Sequence, residues 1–191
     1  MENYYWFDIF SLQMFGNQTK PIINLKIKRL MKIELSIEYQ IFESDQELEE
    51  DLQELLKASK EAVKLSYAPY SKFHVGAALL MSNREIVKGS NQENASFPAG
   101  ICAERVALSA ASSFYPNEKI MAVAISYHNS TDDSSTENIL SPCGICRQSL
   151  LEATQRQQAH IKVILSNPQG KIIYLKNADD LLPLAFSSDH F

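Results

Sequence analysis

Cysteine is scarce in this chain, as are tryptophan, glycine and proline: three Cys, one Trp, six Gly and seven Pro among 191 residues. Three thiols cannot all pair within one chain. Cys102, Cys143 and Cys146 therefore point to metal binding or thiol chemistry rather than a disulfide framework. So little glycine and proline excludes collagen-like and low-complexity architecture. No stretch approaches the ~20 uninterrupted apolar residues of a membrane-spanning helix. The aromatic N-terminus carries Glu2 and Asp8 where a secretory leader is basic, which predicts a cytoplasmic protein with no membrane partner. Positive charge is also short, with 18 Lys and Arg against 23 Asp and Glu and a net charge of −5. Tracking a phosphate backbone needs clustered cations, so nucleic acid is not an expected partner.

What is present is ordinary globular composition, 45% hydrophobic and 21% charged, at a length that suits one domain with a tail. Residues 1–30 differ from the rest. They hold Trp6, a cluster of Tyr4, Tyr5, Phe7, Phe10 and Phe15, and the cations Lys20, Lys26, Lys28 and Arg29. They read either as an atypical extension upstream of a biological start at Met31, or as an arm packing on a neighbouring subunit. The domain proper spans 31–191.

Within it, Ile33, Leu35, Ile37, Tyr39 and Ile41 alternate with polar residues, the period-2 signature of a half-buried strand. Ser44 and Glu47 form a capping box that predicts a helix start, with Leu48, Leu52, Leu55, Leu56, Ala62 and Val63 on its apolar face. Strands are predicted over 73–81 and 84–88, joined by a turn at Ser82–Asn83. A loop over 89–100 leads to a helix beginning near Ile101. The apolar run 121–127 reads as a central strand buried on both faces. A polar loop over 129–138 precedes a helix over 143–156, with Ile145, Leu150, Leu151 and Ala153 as its apolar positions. Short strands at 163–165 and 172–175 flank a turn at 167–170. Strands interleaved with helices predict an α/β layered fold.

The chemistry gathers around the cysteines. Cys143 and Cys146 form a Cys-x-x-Cys pair after Pro142, and Cys102 opens another predicted helix. Helix N-termini favour thiolate. Three thiolates converging from two such ends make a Zn²⁺ site with one open position, the arrangement of catalytic rather than structural zinc. A redox pair and a structural zinc module used for interaction remain alternatives at this stage. The four histidines His74, His128, His160 and His190 are scattered singly, none at ligand spacing from a cysteine. Glu104, two residues after Cys102 in the same first turn, stands where a proton shuttle beside the metal belongs.

Cys102-Ala103-Glu104 with Pro142-Cys143-Gly144-Ile145-Cys146 resembles the zinc signature of the cytidine deaminase superfamily, whose three-cysteine variant and non-ligand glutamate are known features. Further segments resemble its nucleoside-specific, homotetrameric branch: Tyr67–Phe73, Val75–Leu79, Asn91–Ala95, Gly100–Arg105 and Leu181–Pro183 with Phe186. The likeness runs from about Leu48 to Phe186. It implies a three-layer α/β/α fold with a central mixed sheet and one zinc per subunit at two helix N-termini. It also implies hydrolytic deamination of cytidine and 2′-deoxycytidine by water, in pyrimidine salvage.

By that resemblance Cys102, Cys143 and Cys146 are the metal ligands and Glu104 is the catalytic acid–base. Arg105 hydrogen-bonds ligand sulfur and adds positive charge. The Ala103 backbone N–H meets the base O2, and the Pro142 and Cys143 carbonyls receive the C4 amino group. Asn91 and Glu93 bind the ribose hydroxyls, with Glu93 repelling a 5′-phosphate. Phe73 lines the pocket, and Phe186 completes a neighbouring subunit's pocket in a homotetramer with shared active sites. Two positions depart from the family pattern: Phe97 stands where tyrosine is usual, and Gln92 where an aliphatic residue is more common. The rival within the superfamily is a blasticidin-type deaminase, which the Asn91–Glu93 pair disfavours.

Overall fold

The computed structural model describes residues 32–130 and 138–187. The expectations for residues 1–30 and Met31, and most of the polar loop before α3, lie outside the described residues. Six strands form one mixed sheet: β1 (Gln40–Phe42), β2 (Phe73–Met81), β3 (Ile86–Ser90), β4 (Ile120–Asn129), β5 (Lys162–Ser166) and β6 (Ile172–Leu175). Their order across the sheet is β1-β6-β5-β4-β2-β3, and only β4 and β5 are parallel. Among the described residues three α-helices cover it: α1 (Glu50–Val63), α2 (Ala103–Phe114) and α3 (Gly144–Gln157).

The alternating faces of the strands separate two cores. Ala78, Ala122, Ala124, Ile164 and Ile172 meet Leu48, Leu52, Leu55 and Leu56 of the α1 layer. Val75, Ala77, Leu79, Val123, Ile125 and Val163 meet Ala103, Ala107, Leu108 and Leu150 of α2 and α3 on the other face. This is the expected three-layer α/β/α arrangement. Successive β residues point to opposite faces, so a sheet covered on both sides must be apolar throughout. That is why β4 reads as a continuous apolar run.

Two helices approach the sheet at glycines. A Cβ on Gly76 would stand 2.2 Å from the Ser59 carbonyl oxygen of α1. One on Gly89 would stand 2.4 Å from both the Ala103 oxygen and the Ala107 nitrogen of α2. Any side chain at Gly89 would thus push the start of α2 off the sheet. The parallel β4–β5 pair requires a crossover, which α3 supplies. Its N-terminus consequently lies beyond the C-terminal edge of β4, the edge where α/β proteins bind ligands.

The sequence expectations need correction in four places. The strand expected over 33–41 shrinks to Gln40–Phe42, and Ile33, Leu35, Ile37, Tyr39 and Ile41 are all exposed. The cause lies in its partner. β1 pairs only with β6, whose chain turns away after Leu175 into the 3₁₀ turn Ala178–Leu181, so the ladder runs out of hydrogen-bonding groups. The Ser44–Glu47 capping box is present but caps a 3₁₀ turn over Asp45–Glu47, and α1 restarts at Glu50 after Leu48 adopts an extended conformation. β3 begins at Ile86 rather than 84 because Arg84 takes the left-handed turn conformation, φ 72°. Ile145 and Met121, expected to be apolar packing positions, are exposed.

Candidate active site

Both helix starts that bear cysteine place sulfur at the cap. Cys102 is the N-cap of α2 and Cys143 the N-cap of α3, and neither side chain makes a capping hydrogen bond. Cys146 lies three residues further along α3, on the same turn. The uncapped backbone N–H groups of two helices thus converge on one cluster of sulfur. The Cys102 and Cys143 sulfurs are 3.8 Å apart and those of Cys143 and Cys146 are 3.5 Å apart. All three lie within 4.8 Å of one another and none is in a disulfide.

Thiolates about 2.3 Å from a tetrahedral zinc stand roughly 3.8 Å from each other, so the cluster has the dimensions of a zinc site. Among the described residues no histidine or carboxylate joins it as a fourth ligand. The sulfurs are electrostatically unequal. The Cys102 thiol is lowered to about 6, chiefly by its hydrogen bond with Cys146 and further by Cys143 and the Arg105 charge, against burial and the Glu104 charge. Cys146 is raised, because it donates to Cys102 and is itself buried. A thiolate already favoured at one position is a good start for a three-sulfur metal site.

Glu104, on the first turn of α2, is 4% exposed. Burial raises its carboxyl above the usual range, while its own backbone N–H and the nearby Cys146 side chain hold it partly back. Ala103, wholly buried, separates it from the Cys102 cap. Arg105 is half-buried beside them. The structure gathers the Cys102, Cys143 and Cys146 sulfurs, with Ala103, Glu104 and Arg105 on the helical turn that follows Cys102.

Asn91 and Glu93 reach the same end of the sheet through backbone pairing. Gln92 exchanges two backbone hydrogen bonds with Ile101, at 2.9 and 3.0 Å. On its other side, the Tyr67 N–H donates to the Asn91 carbonyl and the Glu93 N–H to the Tyr67 carbonyl. The loop is thereby held one residue from Cys102. The Gln92 side chain, a departure from the family pattern, donates to Ser90 Oγ at 3.0 Å. The Asn91 amide is held by Ser66, Val75 and Phe73. Glu93 Oε2 accepts from the backbone N–H groups of Tyr70 (2.9 Å) and Ser71 (3.3 Å). Its carboxyl lies below the usual range, through the Ser71 hydroxyl first and then these N–H groups.

Phe73 is half-buried and stacks on Tyr127, ring centroids 5.3 Å apart. Phe97 meets Tyr70 edge to face and is 78% exposed. Phe186 is 59% exposed, on the C-terminal segment that Gln148 Nε2 holds through the Phe186 carbonyl at 3.0 Å.

Arg147 was missed by the sequence reading. Its Nε donates to the Pro142 carbonyl at 2.8 Å and its Nη1 to the Leu181 carbonyl at 3.0 Å. It thus ties the turn before Cys143 to the C-terminal segment. A signal was there: a cation in the first turn of a helix opposes the macrodipole, so it needs a specific partner. The same bonds bear on the carbonyls expected to receive the C4 amino group. Pro142 accepts from Arg147 Nε, and Cys143 accepts the helical bond from the Arg147 N–H at 3.0 Å.

Similarity to known proteins follows this geometry. Residues 49–161 match the model of the cytidine and deoxycytidylate deaminase zinc-binding region. A cytidine deaminase of Halalkalibacterium halodurans is 39% identical over 73% of this chain and 96% of its own length. The crystal structure of cytidine deaminase from Burkholderia pseudomallei superposes with a TM-score of 0.60 at 37% identity, covering 70% of this chain and 97% of that one. A blasticidin-S deaminase of Bacillus cereus is more distant, 27% identical over 70% of this chain and 91% of its own length. With three thiols gathered at the starts of two helices, a buried glutamate on the first turn of one of them and these relatives, the chain belongs to the cytidine and deoxycytidylate deaminase zinc-binding family.

Proposed function

We propose that this protein catalyses the zinc-dependent hydrolysis of cytidine and 2′-deoxycytidine to uridine and 2′-deoxyuridine, with release of ammonia. The observation that carries the reading is the buried Glu104 carboxyl on the helix turn that also presents Cys102 to the other two sulfurs. Cys102, Cys143 and Cys146 hold one zinc per subunit, and such an ion lowers the pKa of water toward ~7, making a nucleophile at neutral pH. The remaining chemistry is proton traffic through Glu104. The carboxylate takes a proton from the attacking water and delivers it to N3 of the pyrimidine as the C–O bond forms at C4. It then carries a second proton to the amino group as the C–N bond breaks and ammonia departs. A carboxyl raised by burial suits a group that must both accept and return protons.

The other site residues bind and orient. The Ala103 N–H serves the base O2, Phe73 lines the base pocket, and Arg105 offsets the negative charge of three thiolates. Asn91 and Glu93 engage the ribose hydroxyls, and Glu93 disfavours a 5′-phosphate. Phe186 completes the pocket of an adjacent subunit in a homotetramer. The deaminase domain is 31–191, preceded by an extension or arm over 1–30. The unpaired thiols suit a reducing cytoplasm. Among the described residues no helix is long and apolar enough to cross a membrane.

An absorbance assay with cytidine, 2′-deoxycytidine and blasticidin S, run beside zinc quantification, tests the reading. Turnover of the two nucleosides with about one zinc per chain is the expected result. Turnover of blasticidin S alone would move the protein to that branch, and bound zinc with no turnover would make it a structural module.

A further inference from the structure

We infer that Ser66 and His74 are positioning residues that fill the remaining acceptor capacity of the Asn91 amide, whose orientation the Val75 and Phe73 backbone sets, so that the ribose subsite meets Asn91 as a donor alone. The inference rests on the reading of Asn91 as a ribose contact. Both residues fall in the gaps between the segments that carry the family resemblance: Ser66 just before Tyr67, and His74 between Phe73 and Val75.

Asn91 Oδ1 accepts two hydrogen bonds, from Ser66 Oγ at 2.6 Å and from the Val75 N–H at 2.8 Å. An amide oxygen has two lone pairs, so its capacity is filled. Nδ2 donates to the Phe73 carbonyl at 2.9 Å. The flipped amide would set NH₂ against the Val75 N–H and oxygen against the Phe73 carbonyl, two repulsive contacts in place of two bonds. The orientation is therefore determined, and what the side chain offers a ligand is the second Nδ2 hydrogen.

Proton counting extends the chain outward. The Ser66 hydroxyl has one hydrogen, and Asn91 Oδ1 can only accept, so that hydrogen is committed to Asn91. At 3.1 Å from His74 Nδ1, Ser66 Oγ must then be the acceptor, and Nδ1 must carry a proton. A one-way relay results, from His74 Nδ1–H to Ser66 Oγ–H to Asn91 Oδ1. Asn91 thus presents only a donor. Glu93, its carboxylate held in place by the Tyr70 and Ser71 N–H groups, presents only an acceptor. A donor beside an acceptor matches a hydroxyl, which both accepts and donates. An ether or an ammonium satisfies one partner and leaves the other unpaired.

The test measures kcat and KM of the zinc-loaded enzyme for cytidine and for 2′,3′-dideoxycytidine, which lacks the 2′- and 3′-hydroxyls. Wild type is expected to show a much lower KM for cytidine. Ser66→Ala should raise the cytidine KM about 3- to 10-fold, the worth of one hydrogen bond, with kcat within about twofold on the same scale. The dideoxycytidine KM should stay unchanged. His74→Ala should shift KM in the same direction, and His74→Asn, whose amide restores a donor near the Nδ1 position, should recover it. Equal losses on both substrates would mean a merely structural role and would overturn the inference. Equal wild-type KM values for the two substrates would instead overturn the ribose reading of Asn91. Independently of activity, the ¹⁵N spectrum of neutral His74 should show a protonated Nδ1 and a bare Nε2, and the opposite tautomer would sink the relay.

Discussion

Glu104 is the one carboxyl buried among the described residues, and it adjoins three sulfurs that gain negative charge when they bind metal. Its carboxyl is raised above its unfolded value. The stability it contributes is therefore present at low pH and lost as pH rises through the folded value, a cost to the fold at higher pH. Glu104→Gln removes that cost along with the carboxylate proposed to move the protons. Zinc content should stay near one per chain and Tm should not fall, while kcat drops by at least ~10²-fold, and by ~10⁴-fold or more if one residue handles every transfer. Parallel metal analysis, calorimetry and kinetics check this, and a variant keeping a tenth of wild-type activity would remove Glu104 from the mechanism. Glu93 can be tested by charge alone. Glu93→Gln keeps an oxygen for the Tyr70 and Ser71 N–H groups but drops the carboxylate, so the preference for cytidine over its 5′-monophosphate should narrow. Competition assays with the two substrates measure the ratio.

At the scale of elements, the site depends on how closely α2 and α3 are seated. Gly89 lets α2 touch β3 at Ala103, the residue between Cys102 and Glu104. Gly89→Ala forces backbone against backbone, with an expected cost of about 3 kcal/mol or more. Because the displaced turn carries Cys102 and Glu104, zinc content and kcat should fall with it; misplacement by ~1 Å can cost 10²-fold. Gly76→Ala makes the same kind of clash with α1, which carries no site residue. Its loss should appear in Tm while kcat of the folded fraction stays within a few-fold of wild type. If the two variants lose activity in parallel, seating of α2 is not what sets the site. α3 is seated differently, from its own first turn, where Arg147 spans from Pro142 to Leu181.

For the whole molecule, the zinc cluster joins two helix ends that are 41 residues apart in sequence at Cys102 and Cys143. A metal that binds only the assembled arrangement stabilises the fold by mass action. Chelation should lower Tm by at least about 5 °C for a chain of this length, reversed by added Zn²⁺ and measured by scanning calorimetry. The exposed Phe186 invites the complementary experiment on assembly. If it completes a neighbour's pocket, Phe186→Ala should raise the cytidine KM and leave zinc content unchanged. In-line mass measurement during gel filtration should report a tetramer, and a fully active monomer would exclude the shared pocket.

The metal ligands and Glu104 were legible in the sequence because their spacing is local. A capping position and the turn after it are specified by four consecutive residues, whatever the rest of the chain does. The strands β2, β4, β5 and β6 were legible for a similar reason, since burial on one or both faces leaves a periodic or continuous apolar record. Their partners were not. The alternation over 33–41 has the pattern of a strand, but pairing requires a neighbour, and β6 ends too early to supply one. The distant partner of Arg147, the helix contact at Gly89 and the His74–Ser66–Asn91 relay were likewise beyond local reading, because each joins residues 8 or more positions apart or reaches the backbone of another element. Residue identity and short spacing determined the chemistry this protein carries. Long-range packing alone decided how its parts are aimed, because hydrogen-bond direction and close approach exist only once distant segments meet.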